Sequence, residues 1–167
     1  ALALARGGGA WPLWGTCMGM QVLSILGAED PSVLLSRAYD SEGLLLPLDL
    51  TPAAAGRALL CDSCLDATTR ATLTSLNVTV NLHHDGVPPS AWAPGSKLAA
   101  AFALLSTNVD SQGKAFASTI EATGGAKIFG TQWHPERPQF DWSTEHAIPM
   151  HSPPAVSAMF AVGARLV

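Results

Sequence analysis

A single cysteine lies between two glycines in Trp14-Gly15-Thr16-Cys17-Met18-Gly19-Met20-Gln21. The G-x-C-x-G core is the cysteine form of the turn that presents a nucleophile between a strand and a helix. Its spacing has a steric reason. Such a turn holds the nucleophile in a strained backbone conformation, and glycines two residues to either side let neighbouring backbone approach without a Cβ clash. A thiol there sits at a helix N-terminus, where unpaired N–H groups and the helix dipole favour negative charge on sulfur. The N–H of Met18 would face the oxyanion of a tetrahedral intermediate. A buried structural cysteine in a glycine-rich turn would carry the same residues. The strand before Cys17 and the amphipathic helix after it favour the nucleophile.

A thiolate nucleophile needs a base that can hold and return its proton. The histidines are His83, His84, His134, His146 and His151. His134 lies in Gly130-Thr131-Gln132-Trp133-His134-Pro135-Glu136, just past a predicted strand, where a loop can present a side chain to a site at the strand's end. Glu136 could accept a hydrogen bond from the imidazole, setting its tautomer and stabilising imidazolium. An isolated His-Pro-Glu would read as a surface histidine beside a turn. With the cysteine motif upstream it reads as a base and its acidic partner.

The elements that must position these residues are short. Pro12 to Gly15 reads as a strand entering a turn. Met18 to Leu26 has apolar residues at helical spacing (Met18, Val22, Ile25, Leu26) and stops at Gly27. Leu44 to Leu50 is an apolar run broken by Pro47, an edge strand. Ala67 to Leu76 reads as a helix and Val78 to Leu82 as a strand. Lys97 to Leu105 is ambiguous between the two. Lys114 to Glu121 and Lys127 to Trp133 are strand-like, separated by the turn signal Gly124-Gly125. Pro154 to Val167 is a closing helix with proline in its first turn. Interleaved strands and helices make the class α/β, with hairpin structure near residues 113–133.

Composition narrows the function classes. The 167 residues fit one domain, residues 1–167, and no internal repeat or long linker divides them. Hydrophobic residues make up 48% and charged residues 13%, so the chain has ample apolar surface to bury and is no disordered charged tail. The net charge is -4 and the nine Lys and Arg never cluster, which argues against nucleic acid as a partner. No apolar stretch is long enough for a membrane span.

Cys61 and Cys64 form one C-x-x-C pair. Without a second pair or a nearby histidine it falls short of the four ligands of tetrahedral zinc, and no metal site is expected. No strand leads into Cys61 as a thioredoxin-like redox motif requires. A local disulfide or two ordinary thiols remain. Asn77-Val78-Thr79 is an N-glycosylation sequon, with Asn77 the acceptor.

Gly15-Thr16-Cys17-Met18-Gly19 together with Gly130-Thr131-Gln132-Trp133-His134-Pro135-Glu136 resembles the class I glutamine amidotransferase-like superfamily. Within it the chain is most similar to the γ-glutamyl hydrolases. Pro12 to Cys17, Leu46 to Thr51, Leu105 to Asp110, Ser118 to Glu121, Phe140 to Trp142 and His151 to Val156 resemble that family in order and spacing, over nearly the whole chain. The resemblance implies a flavodoxin-like α/β sheet with flanking helices, incomplete at the N-terminus, and a Cys-His-Glu triad needing no cofactor. Cys17 would attack a γ-glutamyl amide carbonyl, as of a folylpoly-γ-glutamate. His134 would move the proton, Glu136 would orient His134, and water would hydrolyse the thioester. Asn81-Leu82-His83 resembles a family segment whose histidine lies near the site, so His83 is a candidate substrate contact. Asp85 stands where the family usually has an aromatic residue. Gln21 matches amidotransferases and would lie near the substrate's glutamyl end, while Met18 would meet the substrate through its N–H at the oxyanion.

In such enzymes a long N-terminal part supplies central strands and a glycine-rich loop with the second oxyanion N–H. Only Ala1 to Trp11 precede the motif here, and Gly7-Gly8-Gly9 does not replace that loop. The resemblance therefore implies packing against a missing N-terminal half, in the same protein or a partner chain, and weak or no activity without it. It also implies a lysosomal, vacuolar or secreted location, where a Cys61–Cys64 disulfide is permitted. A homodimer is compatible with it. Two other readings share the residues: the glutaminase domain of an amidotransferase, and a non-catalytic structural subunit with a relic site.

Overall fold

The computed structural model describes residues 11–142 and 151–166; Gly7-Gly8-Gly9 and His146 lie outside them. In chain order the strands and α-helices are β1 (Leu13–Thr16), α1 (Met18–Ala28), β2 (Leu44–Leu46), β3 (Asp49–Leu50), α2 (Ala67–Ser75) and β4 (Thr79–Asn81). They continue as α3 (Lys97–Ala101), β5 (Phe102–Val109), β6 (Ala115–Ala122), β7 (Ile128–Thr131), α4 (Arg137–Phe140) and α5 (Pro153–Gly163). One sheet runs β1-β7-β6-β5-β3, and β2 pairs separately with β4. Only β1 and β7 are parallel; the other pairs are antiparallel. The expected α/β class holds, as a mixed sheet with flanking helices.

Strand alternation makes the layers. In β7, Ile128 packs with Met20, Leu23, Leu98 and Phe102, whereas its neighbour Phe129 packs with Leu73, Trp133, Met159 and Val162. The sheet thus carries α1 and α3 on one face and α2 and α5 on the other. Local caps fix the helix starts: Asp66, Ser96 and Ser152 each accept a first-turn N–H, and Pro153 opens α5.

Several boundaries differ from the sequence reading. Helix α1 runs through Gly27 and ends at Glu29, which takes a left-handed φ of 55°. Gly27 serves packing instead: a Cβ there would lie 2.8 Å from the Phe102 ring. The apolar face read from spacing is not the packed one. Met18, Val22 and Leu26 are exposed, and α1 buries Met20, Gln21, Leu23, Ser24 and Gly27. Small and polar residues fit there because α1 lies close against β1. Pro47 divides the Leu44–Leu50 run into two strands of different sheets. The ambiguous segment from Lys97 is both things, a short helix and then a long strand.

The C-x-x-C pair is a disulfide between Cys61 and Cys64. The segment leading into it is pinned by buried Glu121, whose carboxylate accepts the N–H groups of Ala58 and Leu59 at 3.1 and 2.9 Å. Leu59, Leu60 and Leu65 are thereby held in the α2–α5 core.

Candidate active site

The parallel pairing places the ends of β1 and β7 side by side, with Thr16 opposite Thr131. Both chains then turn at one end of the sheet. The Cys17 N–H donates to the Thr131 carbonyl at 2.7 Å, which ties the turn to β7. Cys17 has φ 52° and ψ -108°, a conformation an L-residue adopts only at a cost of about 1–3 kcal/mol. It is the N-cap of α1 and half-buried, and the first turn of α1 carries no acidic residue. Gly15 has the steric role expected: a Cβ there would lie 2.6 Å from the Gly19 carbonyl carbon. Gly19 does not, since a Cβ on it would meet nothing within 4 Å.

His134 is anchored through its backbone, whose N–H donates to Val80 of β4 at 2.9 Å. Its ring Nδ1 lies 2.6 Å from Glu136 Oε1, and the Cys17 side chain is close enough to act on the charge of the imidazole. The structure therefore brings the three predicted residues to one end of the sheet. Burial works against a charged imidazole at His134, but the hydrogen bonds and charges of Cys17 and Glu136 outweigh it and push it up to about 9. Burial likewise pushes Glu136 up, yet the hydrogen bond and charge of His134 leave its carboxyl below the usual value. Imidazolium beside the sulfur is the resting state this geometry favours near neutral pH.

His83 is 4% exposed. Burial holds its imidazole down to about 4, with the charges of His134 and His84 adding to the effect. The neutral ring donates from Nδ1 to the Asp85 carbonyl at 2.9 Å and packs edge-on against Phe116. Its Nε2 has no hydrogen-bond partner among the described residues. The Asp85 side chain turns away from His83, accepting the Ser36 hydroxyl at 3.0 Å and the Arg37 N–H at 2.6 Å. His84 is exposed and hydrogen-bonds the Tyr39 carbonyl.

Met18 opens α1 and its side chain is exposed. Gln21 is buried, and its amide nitrogen is engaged within the protein, with the Asp85 carbonyl and the Gln132 side chain. Arg137, a cation adjoining the triad segment, pairs with Asp141 at 2.6 Å. Gln132 was not singled out by the sequence, although it is fully buried and its Nε2 lies 3.5 Å from Cys17 Sγ. The available signal was its place two residues before His134, just past the end of β7. Asn77 is exposed, and Thr79 of its sequon is buried with its hydroxyl on the Leu46 carbonyl. Among the described residues no group of His, Cys, Asp or Glu could hold a metal, and no helix is long and apolar enough to cross a membrane.

Two open clefts flank β1. An apolar one of about 320 Å³ is lined by Leu13, Met18, Val22 and Leu26. The other, about 230 Å³, runs past Trp14, Thr16, Glu136 and Phe140. The remaining edge of β1 has no strand beside it among the described residues.

No family model matches the chain. Curated relatives do. It is 31% identical to γ-glutamyl hydrolase B of Dictyostelium discoideum, over 84% of this chain and 39% of that protein. It is 31% identical to γ-glutamyl hydrolase of Rattus norvegicus, over 96% of this chain and 48% of that protein. For γ-glutamyl hydrolase of Homo sapiens the identity is 33%, over 92% and 46%. The chain spans about half or less of the length of these relatives. Over that span the chain is homologous to the γ-glutamyl hydrolases, and its mixed sheet with flanking helices is the α/β architecture of the class I glutamine amidotransferase-like fold.

Proposed function

We propose that this chain carries the catalytic centre of a cysteine hydrolase of γ-glutamyl bonds. What supports the reading is the strained Cys17 at the start of α1 and the His134–Glu136 pair, brought together at the ends of two adjacent parallel strands. The Cys17 sulfur attacks the γ-glutamyl amide carbonyl. The Met18 N–H, at the start of α1, meets the developing oxyanion. His134 gives its proton to the departing amine, and Glu136 keeps the ring oriented. Water, deprotonated by His134, then cleaves the thioester and frees the γ-carboxylate. His83 faces the glutamyl group with a neutral ring. The substrate is a poly-γ-glutamate, on a folate in the form the resemblance implies.

The exposed Met18, Val22 and Leu26 and the open side of β1 provide the packing surface for further sheet and a second oxyanion donor. One such donor contributes about 10²–10³ in rate, so the chain alone is a weak catalyst. The disulfide and the exposed Asn77 suit a secretory, lysosomal or vacuolar location. Digestion with an N-glycosidase should change the mobility of the native protein.

Buried Gln21, the amidotransferase-like residue, supports a second reading as a glutaminase domain. One assay separates the two. The chain is incubated with a poly-γ-glutamyl peptide and, in parallel, with glutamine. The hydrolase reading expects glutamate or γ-glutamyl peptide release that Cys17→Ser abolishes. Ammonia from glutamine with an intact peptide would select the glutaminase. Labelling by 6-diazo-5-oxonorleucine reads the site where turnover is slow. Failure to modify Cys17 would count against both.

A further inference from the structure

Two buried side-chain amides connect a backbone carbonyl to the sulfur. Gln21 Nε2 donates to the Asp85 carbonyl at 2.9 Å and to Gln132 Oε1 at 3.3 Å. Gln132 Nε2 in turn donates to Cys17 Sγ at 3.5 Å. Each amide offers two N–H donors on nitrogen and only acceptor sites on oxygen. The Asp85 carbonyl can only accept, so it draws the Gln21 nitrogen toward itself. That nitrogen then meets the oxygen of Gln132, which leaves the Gln132 nitrogen facing sulfur. Gln132 is held from behind by its backbone N–H on the Ser118 carbonyl at 2.8 Å. Neither side chain is free to turn to water: Gln132 is 0% and Gln21 6% exposed.

We propose that Gln132 is a catalytic residue whose side-chain N–H stabilises negative charge on the Cys17 sulfur, and that Gln21 is the positioning residue that fixes its amide. This rests on the reading of Cys17 as the nucleophile. Without Gln21 the Gln132 amide can present its oxygen to the sulfur, which repels a thiolate. Gln21 thus acts from behind the nucleophile, a different role from the substrate contact expected of it. The other groups near the sulfur are His134 with Glu136 behind it, and neutral His83 beside His134. From α1 no acidic residue joins them in its first turn.

Alkylation of Cys17 by iodoacetamide, followed against pH in the full chain, reads this without substrate. Cys61 and Cys64 are silent in their disulfide. A hydrogen bond to a charged acceptor predicts that Gln132→Met slows alkylation about tenfold at about pH 6 and moves the profile up by about one pH unit. Gln132→Glu, which keeps the shape and adds repulsion, should be slower still. Gln21→Met should fall between, because the Gln132 amide then samples both orientations. If Gln132→Met does not fold, Gln132→Glu and Gln21→Met decide the matter. Profiles of the folded variants within about twofold of wild type would overturn the proposal, since a tenfold effect is required. A wild-type profile matching a free thiol, and indifferent to His134→Asn, would overturn the nucleophile reading with it.

Discussion

The two glycines around Cys17 should respond to alanine in opposite directions. A Cβ on Gly15 would lie 2.6 Å from the Gly19 carbonyl carbon, 2.7 Å from its oxygen and 2.9 Å from Leu23 Cδ1. Carbon atoms rest about 3.5–4.0 Å apart, so an overlap of about 1 Å must be relieved. Leu23 can change rotamer, but the Gly19 backbone cannot yield unless α1 moves off β1. Overpacking costs about 1–3 kcal/mol, and backbone against backbone belongs at the upper end. On Gly19 a Cβ meets nothing within 4 Å. There alanine gains the helical preference over glycine, about 0.5 kcal/mol in a first turn. The variants should therefore differ by about 3.5 kcal/mol. At about 2–4 °C per kcal/mol, Gly15→Ala loses about 6–12 °C in Tm and Gly19→Ala gains about 1–2 °C. Thermal and urea unfolding by circular dichroism measures both. Equal shifts for the two variants would refute the claim that β1 and α1 touch through Gly15.

Other outcomes follow from the titrating groups and the disulfide. His134 is raised to about 9 in the fold, so its contribution to stability is fully present below its ordinary 6.5 and is lost as pH rises through about 9. The urea midpoint of wild type should fall across that window, and His134→Asn should flatten the fall. His83 is depressed to about 4, so its neutral form favours the fold above 6.5 and the contribution is lost as pH falls toward about 4. In imidazole NMR spectra its nitrogens should stay in the neutral pattern at about pH 5.5, where a free histidine is mostly charged. Replacing Cys61 and Cys64 together by serine opens a four-residue loop and should cost about 2 kcal/mol in urea unfolding.

What the sequence made legible was local. The strand–turn–helix around Cys17 and the His134–Glu136 pair each need only neighbouring residues, and both have the predicted geometry. The packed side of α1 was not legible. Periodicity marks an apolar stripe at Met18, Val22 and Leu26, but close approach to the sheet selects residues that are small, such as Ser24 and Gly27. The segment from Lys97 mixed signals because the helix lasts barely one turn before the strand begins. Gln132 was hidden for a different reason. Its partner Cys17 is 115 residues away, and a buried glutamine leaves no pattern in its own neighbourhood.

The pairing of β1 with β7 also governs how this protein is born. Trp14 and Thr131, hydrogen-bonded in the finished sheet, are 117 residues apart. At about 5–20 residues per second, a ribosome needs on the order of ten seconds to bring the second strand out after the first. Through that interval the β7 side of β1 stays unpaired, and the turn at Cys17 lacks the Thr131 carbonyl that its N–H meets in the finished sheet. The turn that presents Cys17 matures late, only after the strand that braces it has been delivered.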